Sequence, residues 1–214
     1  MNKAFFAYTN LPKKVIESIE EDLLDFEDSL SDECFVGSSP ESKTIDERVR
    51  KSKITWIPSS HWICGFIWHY IQVANQKNFL FDIEGLDNQS IQYTVYEKDD
   101  HYTWHTDDSF EKLYVPTSGH HRALKPHTDD RFNDFINVNL DLSRKISFSL
   151  QMSDPEDYEG GELQIMDYDD ISIICPKERG TLILFDSRSK HRVKKVRSGT
   201  RKSIVGWAIG KRWR

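Results

Sequence analysis

The tetrapeptide His105-Thr106-Asp107-Asp108, answered further on by His191 and then by Arg201-Lys202-Ser203, holds the residue types in this chain best suited to chemistry. Two imidazoles and one carboxylate can occupy one face of an octahedral ferrous ion, leaving the other three positions open to a co-substrate and O₂. Spacing suits that task. Side chains alternate along a strand, so His105 and Asp107 point to one side and can grip a single ion together. The third ligand must then come from another strand. His191 qualifies, because it follows Thr181-Leu182-Ile183-Leu184-Phe185, a β-branched and aromatic run introduced by Gly180. Arg201 and Ser203 are a second i, i+2 pair within 200–207, so guanidinium and hydroxyl face one way and can clamp a carboxylate.

A His-x-Asp triplet alone is weak evidence, since a lone histidine is more often an ordinary surface or core residue than a ligand. The chain also repeats the tetrapeptide letter for letter as His127-Thr128-Asp129-Asp130. Context favours the first copy. His105 ends two strand-like runs, Ile91-Gln92-Tyr93-Thr94-Val95-Tyr96 and His101-Tyr102-Thr103-Trp104, joined by a turn at Glu97-Lys98-Asp99-Asp100. His127 follows Pro126 in a loop-like stretch with Pro116 and Gly119.

A chain of 214 residues with 37% hydrophobic and 12% aromatic content suits one folded domain with a full core. No run approaches a membrane span, and the first residues lack the apolar stretch of a signal peptide, so a cytoplasmic location is expected. Cys34, Cys64 and Cys175 are odd in number and widely spaced, which points to buried thiols rather than a disulfide framework or zinc site. The net charge of −6 is unevenly spread: residues 177–214 hold 13 Lys and Arg against 2 acids, which leaves −17 on the remainder. Arg188, Lys190, Arg192, Lys194, Lys195 and Arg197 surround His191. They read either as a basic lip that attracts an anionic substrate or as a solvated strand edge.

The apolar periodicity of Val15, Ile16, Ile19, Leu23, Leu24 and Phe26 after Pro12 predicts an amphipathic helix. A polar loop is expected over 28–47, a strand over 48–57, and a second helix over 62–77 whose Trp62, Phe66, Trp68 and Tyr70 pack on a sheet. Short strands are expected over 79–83, 91–97, 101–106, 146–152, 161–167, 171–174, 181–185, 191–196 and 201–210. Helices first and strands afterwards give an α+β chain, with 1–80 as mainly helical support and 81–214 as a jelly roll interrupted by an insertion over 108–143. A long, weakly patterned segment holding His120, His121 and His127 is either a lid or a surface insertion.

Taken together, Tyr96, Tyr102, His105-x-Asp107, Asp157-Tyr158-Glu159-Gly160-Gly161-Glu162-Leu163, the run 180–185, His191-Arg192-Val193, Ser198-Gly199-Thr200-Arg201 and Trp207 resemble the 2-oxoglutarate and Fe(II)-dependent dioxygenases. The nearest branch is prolyl 4-hydroxylase-like, and the likeness is dense from about residue 91 to 210. It implies a double-stranded β-helix with N-terminal supporting helices. It also implies iron ligands at His105, Asp107 and His191, and Arg201 paired with the distal carboxylate of 2-oxoglutarate, with Ser203 assisting. Tyr96 matches a co-substrate-contacting tyrosine, while Tyr102 and Tyr93 are weaker candidates for which packing is the commoner role. The turn 158–162 is implied to be structural. Asp99 stands where the family often has glycine, which aspartate tolerates in a turn.

The cofactors implied are Fe(II), 2-oxoglutarate and O₂, with ascorbate as an accessory candidate. Asp107 implies hydroxylation, because family members that halogenate carry a small residue there. The expected reaction hydroxylates a protein or peptide side chain, with proline the nearest branch's target, and turns 2-oxoglutarate into succinate. Two other readings stay open: the same chemistry on a methylated nucleic-acid base or a small molecule, and a jelly-roll module that binds metal without turnover.

Overall fold

The computed structural model describes residues 6–31, 35–36, 44–87, 91–107, 142–167 and 169–211. Its first half supplies β1 (Phe6–Asn10), α1 (Lys13–Glu27), β2 (Phe35–Val36), β3 (Thr44–Ile45), β4 (Arg50–Lys51), β5 (Lys53–Ile57) and α2 (Trp62–Ala74). Then follow β6 (Gly85–Leu86), β7 (Ile91–Tyr96), β8 (His101–His105), β9 (Leu142–Gln151), β10 (Tyr158–Gly160) and β11 (Leu163–Met166). The last are β12 (Ser172–Ile174), β13 (Thr181–Asp186), β14 (His191–Val193), β15 (Val196–Gly199) and β16 (Arg201–Lys211).

Alternation along the long strands builds two cores. On β9, Ile146, Phe148 and Leu150 face the helices, where they meet Ile16, Ile19 and Leu23 of α1 and Ile63, Ile67 and Ile71 of α2. Each fully buried aliphatic side chain stabilises by roughly 1.5–3 kcal/mol relative to exposure. The large antiparallel sheet that carries them runs β1, β13, β9, β16, β7, β5, with β6 attached to β16. Its other face meets a five-stranded sheet ordered β12, β11, β14, β8, β4. Between the sheets, Tyr96, Ile183 and Phe185 pack against Leu163, Ile165 and Val193. Two facing antiparallel sheets with helices behind one of them are the expected α+β double-stranded β-helix.

Several elements depart from expectation. The second helix ends at Ala74 and passes into a π-helical turn, Asn75–Phe79, closed by a left-handed Leu80 at φ 55. No strand forms over 79–83, because the Asn75 amide donates to the Phe81 carbonyl and accepts from the Phe81 N–H, each at 2.8 Å. The strand expected over 48–57 breaks at Ser52, sending β4 to the small sheet beside Tyr102 and β5 to the large sheet beside β7. The strand expected over 191–196 stops at Val193; β15 resumes at Val196 and pairs with β10. Within the expected loop at 28–47, β2 and β3 pair Phe35 with Ile45. β1, not anticipated at all, pairs Phe6 with Phe185 at the edge of the large sheet.

The stripe of α2 that faces the core is Ile63, Cys64, Ile67 and Ile71; Phe66, Trp68 and Tyr70 flank it, and Trp62 is 44% exposed. Residues 108–141, and with them His120, His121 and the second tetrapeptide at His127, lie outside the described residues; Leu142 and Ser143 already belong to β9. Cys34 lies outside them as well. Cys64 and Cys175 are buried free thiols, pushed by burial up to about 11 and about 12. Among the described residues no helix is long and apolar enough to cross a membrane.

Candidate active site

His105 ends β8 and His191 begins β14, and the two are register partners in adjacent strands. Their rings lie 4.1 Å apart between centroids. Asp107 sits just beyond β8, tied down by its backbone N–H, which donates to the Ser187 carbonyl at 3.0 Å. Its carboxylate oxygens stand 3.7 Å from His105 Nε2 and 3.3 Å from His191 Nε2. One ligand atom from each of the three lies within 4.8 Å of the others. Both imidazoles are oriented alike: Nδ1 of His105 faces the Thr103 carbonyl at 2.8 Å, and Nδ1 of His191 faces the Ser189 carbonyl at 3.0 Å. Each Nδ1 therefore carries a proton, and each Nε2 turns toward Asp107 as a ligand would.

Electrostatics prepare the same three groups. Burial, then the His191 charge, holds His105 down to about 3, so its imidazole is neutral at neutral pH. Burial disfavours the Asp107 carboxylate, yet the charge and hydrogen bond of His191 more than offset it and keep the carboxyl well below its usual range. Burial disfavours the His191 imidazolium in turn, but Asp107 outweighs that and raises its pKa. An entering divalent cation would displace the proton shared by this pair. Asp107 Oδ2 also accepts from Ser147 Oγ at 2.6 Å, and Ser147 Oγ lies 2.9 Å from Ser187 Oγ.

Arg201 opens β16 directly opposite Tyr96, the last residue of β7. Its side chain is 1% exposed, yet among the described residues it forms no ion pair with a carboxylate. Nη2 donates to Gln151 Oε1 at 2.9 Å and Nη1 to Ser203 Oγ at 3.1 Å, while Nε has no partner among the described residues. The Tyr96 ring lies 5.4 Å from the guanidinium carbon. Gly161, at φ 62, supplies the floor: a Cβ there would press to 3.1 Å on Arg201 Cδ and on the Tyr158 ring. Ser147, Ser149 and Gln151 of β9 are all buried, and Gln151 Nε2 donates to Ser149 Oγ at 3.2 Å. This polar row runs from Asp107 to Arg201.

The sequence profile of the 2OG-Fe(II) oxygenase superfamily matches residues 91–209. The chain belongs to that superfamily. Among its relatives, a PKHD-type hydroxylase of Crocosphaera subtropica is 30% identical over 136 residues, 63% of this chain and 50% of the relative. A solved prolyl hydroxylase of Trichoplax adhaerens, in complex with a hypoxia inducible factor oxygen degradation domain peptide fragment, superimposes with a TM-score of 0.67 at 18% identity, covering 98% of this chain and 85% of that one. A Pseudomonas putida prolyl-4-hydroxylase gives a TM-score of 0.63 at 16% identity, covering 98% and 94%. These structural likenesses share the fold. The chain spans between 34% and 62% of the length of the first curated relatives it matches.

The oxygenase cofactors fit the residues present. Two imidazoles and a carboxylate are a donor set for Fe(II), and a buried guanidinium without a carboxylate partner among the described residues suits one end of a dicarboxylate such as 2-oxoglutarate.

Beside the triad, Tyr102 is brought in by a bulge. His191 pairs with His105 but Val193 pairs with Tyr102, so one residue of β14 opposes two of β8. The extra residue turns Tyr102 to the His105 side, where the rings stack at 3.5 Å and 16°. Burial pushes its phenol up to about 12. Arg50, the register partner of Tyr102, is buried 4.9 Å from that ring and donates to Gln92 Oε1 at 2.7 Å and Ser52 Oγ at 3.1 Å. Arg144 lies 3.6 Å over the Trp207 ring and pairs with Asp87 at 2.9 Å. Trp56 is 6.4 Å from Trp207, whose buried Nε1 has no partner among the described residues.

Sequence reasoning did not single out Arg50, Arg144, Ser147, Gln151 or Trp56 as site residues. The alternation of Ser147, Ser149 and Gln151 with Phe148 and Leu150 was the available signal: a polar face on a strand with no solvent to face. The basic segment around His191 is largely matched by acids: Arg188 with Asp186, Lys194 with Glu162, Lys195 with Asp99 and Arg197 with Glu159. Arg192 donates to Gln164 and stacks on Trp104 at 4.6 Å. It is a paired edge more than an open basic lip.

Proposed function

We propose that the chain is an Fe(II)/2-oxoglutarate-dependent hydroxylase of protein or peptide side chains, with a prolyl residue as target. The observation that carries the reading is the joint presence of the His105, Asp107 and His191 cluster and, at the far end of the β9 polar row, a buried Arg201 with no carboxylate partner among the described residues. In this reading the three ligands hold Fe(II) and Arg201 pairs with the distal carboxylate of 2-oxoglutarate. Ser203 supports the guanidinium, and Tyr96 and Tyr102 line the co-substrate space. The bound iron supplies O₂ activation. The overall reaction takes substrate C–H, O₂ and 2-oxoglutarate to C–OH, succinate and CO₂, and ascorbate would keep the metal reduced between turnovers.

A peptide target is supported by a pair of indoles on the large sheet. The indoles of Trp56 and Trp207 offer apolar faces to a pyrrolidine ring. Solved relatives of the same fold are prolyl hydroxylases, one of them holding a peptide. A nucleic-acid target draws little support, because the basic residues near His191 are mostly spent on acidic partners.

The test is succinate formation from 2-oxoglutarate under O₂ with added Fe(II), coupled to mass analysis of proline-containing peptides. Succinate is expected only with all components present, and its loss in His105→Ala and Arg201→Ala. Absence of succinate with a broad peptide panel would leave the non-catalytic metal-binding reading. Oxidation of a methylated oligonucleotide but of no peptide would move the substrate class to nucleic acid.

A further inference from the structure

Two buried arginines, Arg50 and Arg201, have no carboxylate partner among the described residues. Arg201 serves the co-substrate in the function proposed above, and Arg50 is left without a task. It is 8% exposed and lies on β4, the edge strand of the small sheet. From there it reaches across to the large sheet, where Nη2 donates to Gln92 Oε1 at 2.7 Å, while Nε donates to Ser52 Oγ at 3.1 Å. Both acceptors are neutral, and Gln92 Oε1 is shared with Thr94 Oγ1 at 3.3 Å. Of the acids close by in sequence, Asp46 is bound by Arg48 at 2.9 Å and Asp100 by Lys51 at 3.4 Å. Nε and Nη2 form one side of the guanidinium, so its end, Nη1 with the second proton of Nη2, has no acceptor among the described residues. That end is the edge that takes both oxygens of a carboxylate at once. A cation removed from water and met only by neutral groups is stabilised by an arriving anion.

We propose that Arg50 binds a carboxylate of the substrate, which makes this enzyme selective for acidic peptides. The inference rests on the function proposed above and names the substrate class of the same site. Its position suits the task. The Tyr102 ring lies 4.9 Å from the guanidinium carbon of Arg50 and stacks at 3.5 Å on His105, so one ring separates Arg50 from a metal ligand. Successive Cα atoms of a peptide stand about 3.8 Å apart, and a carboxylate close to the target residue spans that gap. The co-substrate is not the anion in question. Arg201 pairs in register with Tyr96, whereas Arg50 bonds to Gln92, four residues earlier on β7, which is roughly 13 Å at 3.3 Å per residue. One carboxylate cannot bridge both guanidiniums. Trp56, the register partner of Gln92, is 39% exposed, so substrate can reach this edge of the sandwich. The carboxylate is either an aspartate or glutamate side chain beside the target or the free C-terminus of a short peptide; the guanidinium binds both alike.

The experiment uses the full chain with Fe(II), 2-oxoglutarate and O₂, and measures hydroxylation by mass on matched proline peptides. One is neutral with an amidated C-terminus, one carries glutamate beside the proline on either side, and one is the neutral sequence with a free C-terminal carboxylate. Expected is a kcat/KM about tenfold or more above the neutral peptide for one of the two acidic forms, the usual worth of a hydrogen bond between charged groups. The form that gains identifies the source of the carboxylate. Arg50→Gln should bring the ratio to about one, and Arg50→Lys, which keeps the charge without the fork, should retain part of it. Equal kcat/KM for all three peptides in the parent protein overturns this inference, whether or not the variants fold, and leaves the proposed function standing. A preference that survives Arg50→Gln places the carboxylate on another cation and also overturns it. Hydroxylation of no peptide in any form overturns the proposed function and this inference with it.

Discussion

Arg201 and Tyr96 face each other across β16 and β7, and the buried guanidinium between them and Gln151 meets only neutral acceptors among the described residues. A buried cation paid for by so little is held ready for an anion. Arg201→Met should therefore stabilise the cofactor-free protein by about 1 kcal/mol or more, the removed desolvation cost exceeding the lost hydrogen bonds. It should also abolish the rise in melting temperature expected of the parent protein on adding 2-oxoglutarate. Thermal unfolding with and without 2-oxoglutarate reads both effects; a variant that loses stability yet keeps the ligand shift would contradict the assignment.

Ser147 holds Asp107 from behind through the 2.6 Å bond. Ser147→Ala should leave the fold intact and lower Fe(II) affinity by about tenfold to a hundredfold, the usual effect of losing a group that orients a metal ligand. Metal titration followed by calorimetry checks this. Unchanged affinity would mean that Asp107 is oriented by its backbone bond to Ser187 alone.

Asp99 occupies φ 72, as expected for a residue standing where glycine is usual. Its ion pair with Lys195 at 3.5 Å is exposed on both sides and adds little. Asp99→Gly should raise stability by about 0.5–1 kcal/mol, the left-handed strain of a Cβ outweighing glycine's extra freedom in the unfolded chain. Urea midpoints decide it, and a lower midpoint for the variant contradicts the account.

Glu27 at the end of α1 accepts from Lys202 Nζ at 2.7 Å, which joins the helix to the strand carrying Arg201. The Lys202 hydrogen bond lowers the Glu27 pKa against a smaller opposing effect of burial. A carboxyl whose pKa falls on folding contributes stability above its unfolded value of 4.5, and that contribution is lost as pH drops through the folded value. The pair is partly exposed, so the effect is expected below about 1 kcal/mol. Unfolding midpoints of the parent and Glu27→Gln should differ at pH 7 and converge in acid; a gap that persists in acid would assign the effect to packing.

The triad was legible from its two strands, β8 ending at His105 and the run before His191 leading into β14; Asp107, expected on β8, lies just past its end and reaches the cluster through its backbone bond to Ser187. Arg201 and Ser203 share a face because side chains alternate along a strand. Tyr102 shows where that logic stops: three residues from His105, it belongs on the opposite face until a bulge, invisible in the sequence, turns it round. Arg50 and Gln151 reach the site through register with β8 and β16, which no local pattern encodes. Phe79-Leu80-Phe81 reads as strand by composition, yet the Asn75 side chain, six residues before Phe81, bonds that residue and holds a turn. The basic run near His191 looked open because its acids, Asp99, Glu159 and Glu162, are distant in sequence and near only in the fold.

The assignment of the metal centre to the first of two identical tetrapeptides is the claim on which the rest depends, and substrate-free decarboxylation tests it most directly. Succinate formation by the full chain with Fe(II), 2-oxoglutarate and O₂ should persist in His127→Ala and disappear in His105→Ala. Loss in His127→Ala with retention in His105→Ala would contradict the account.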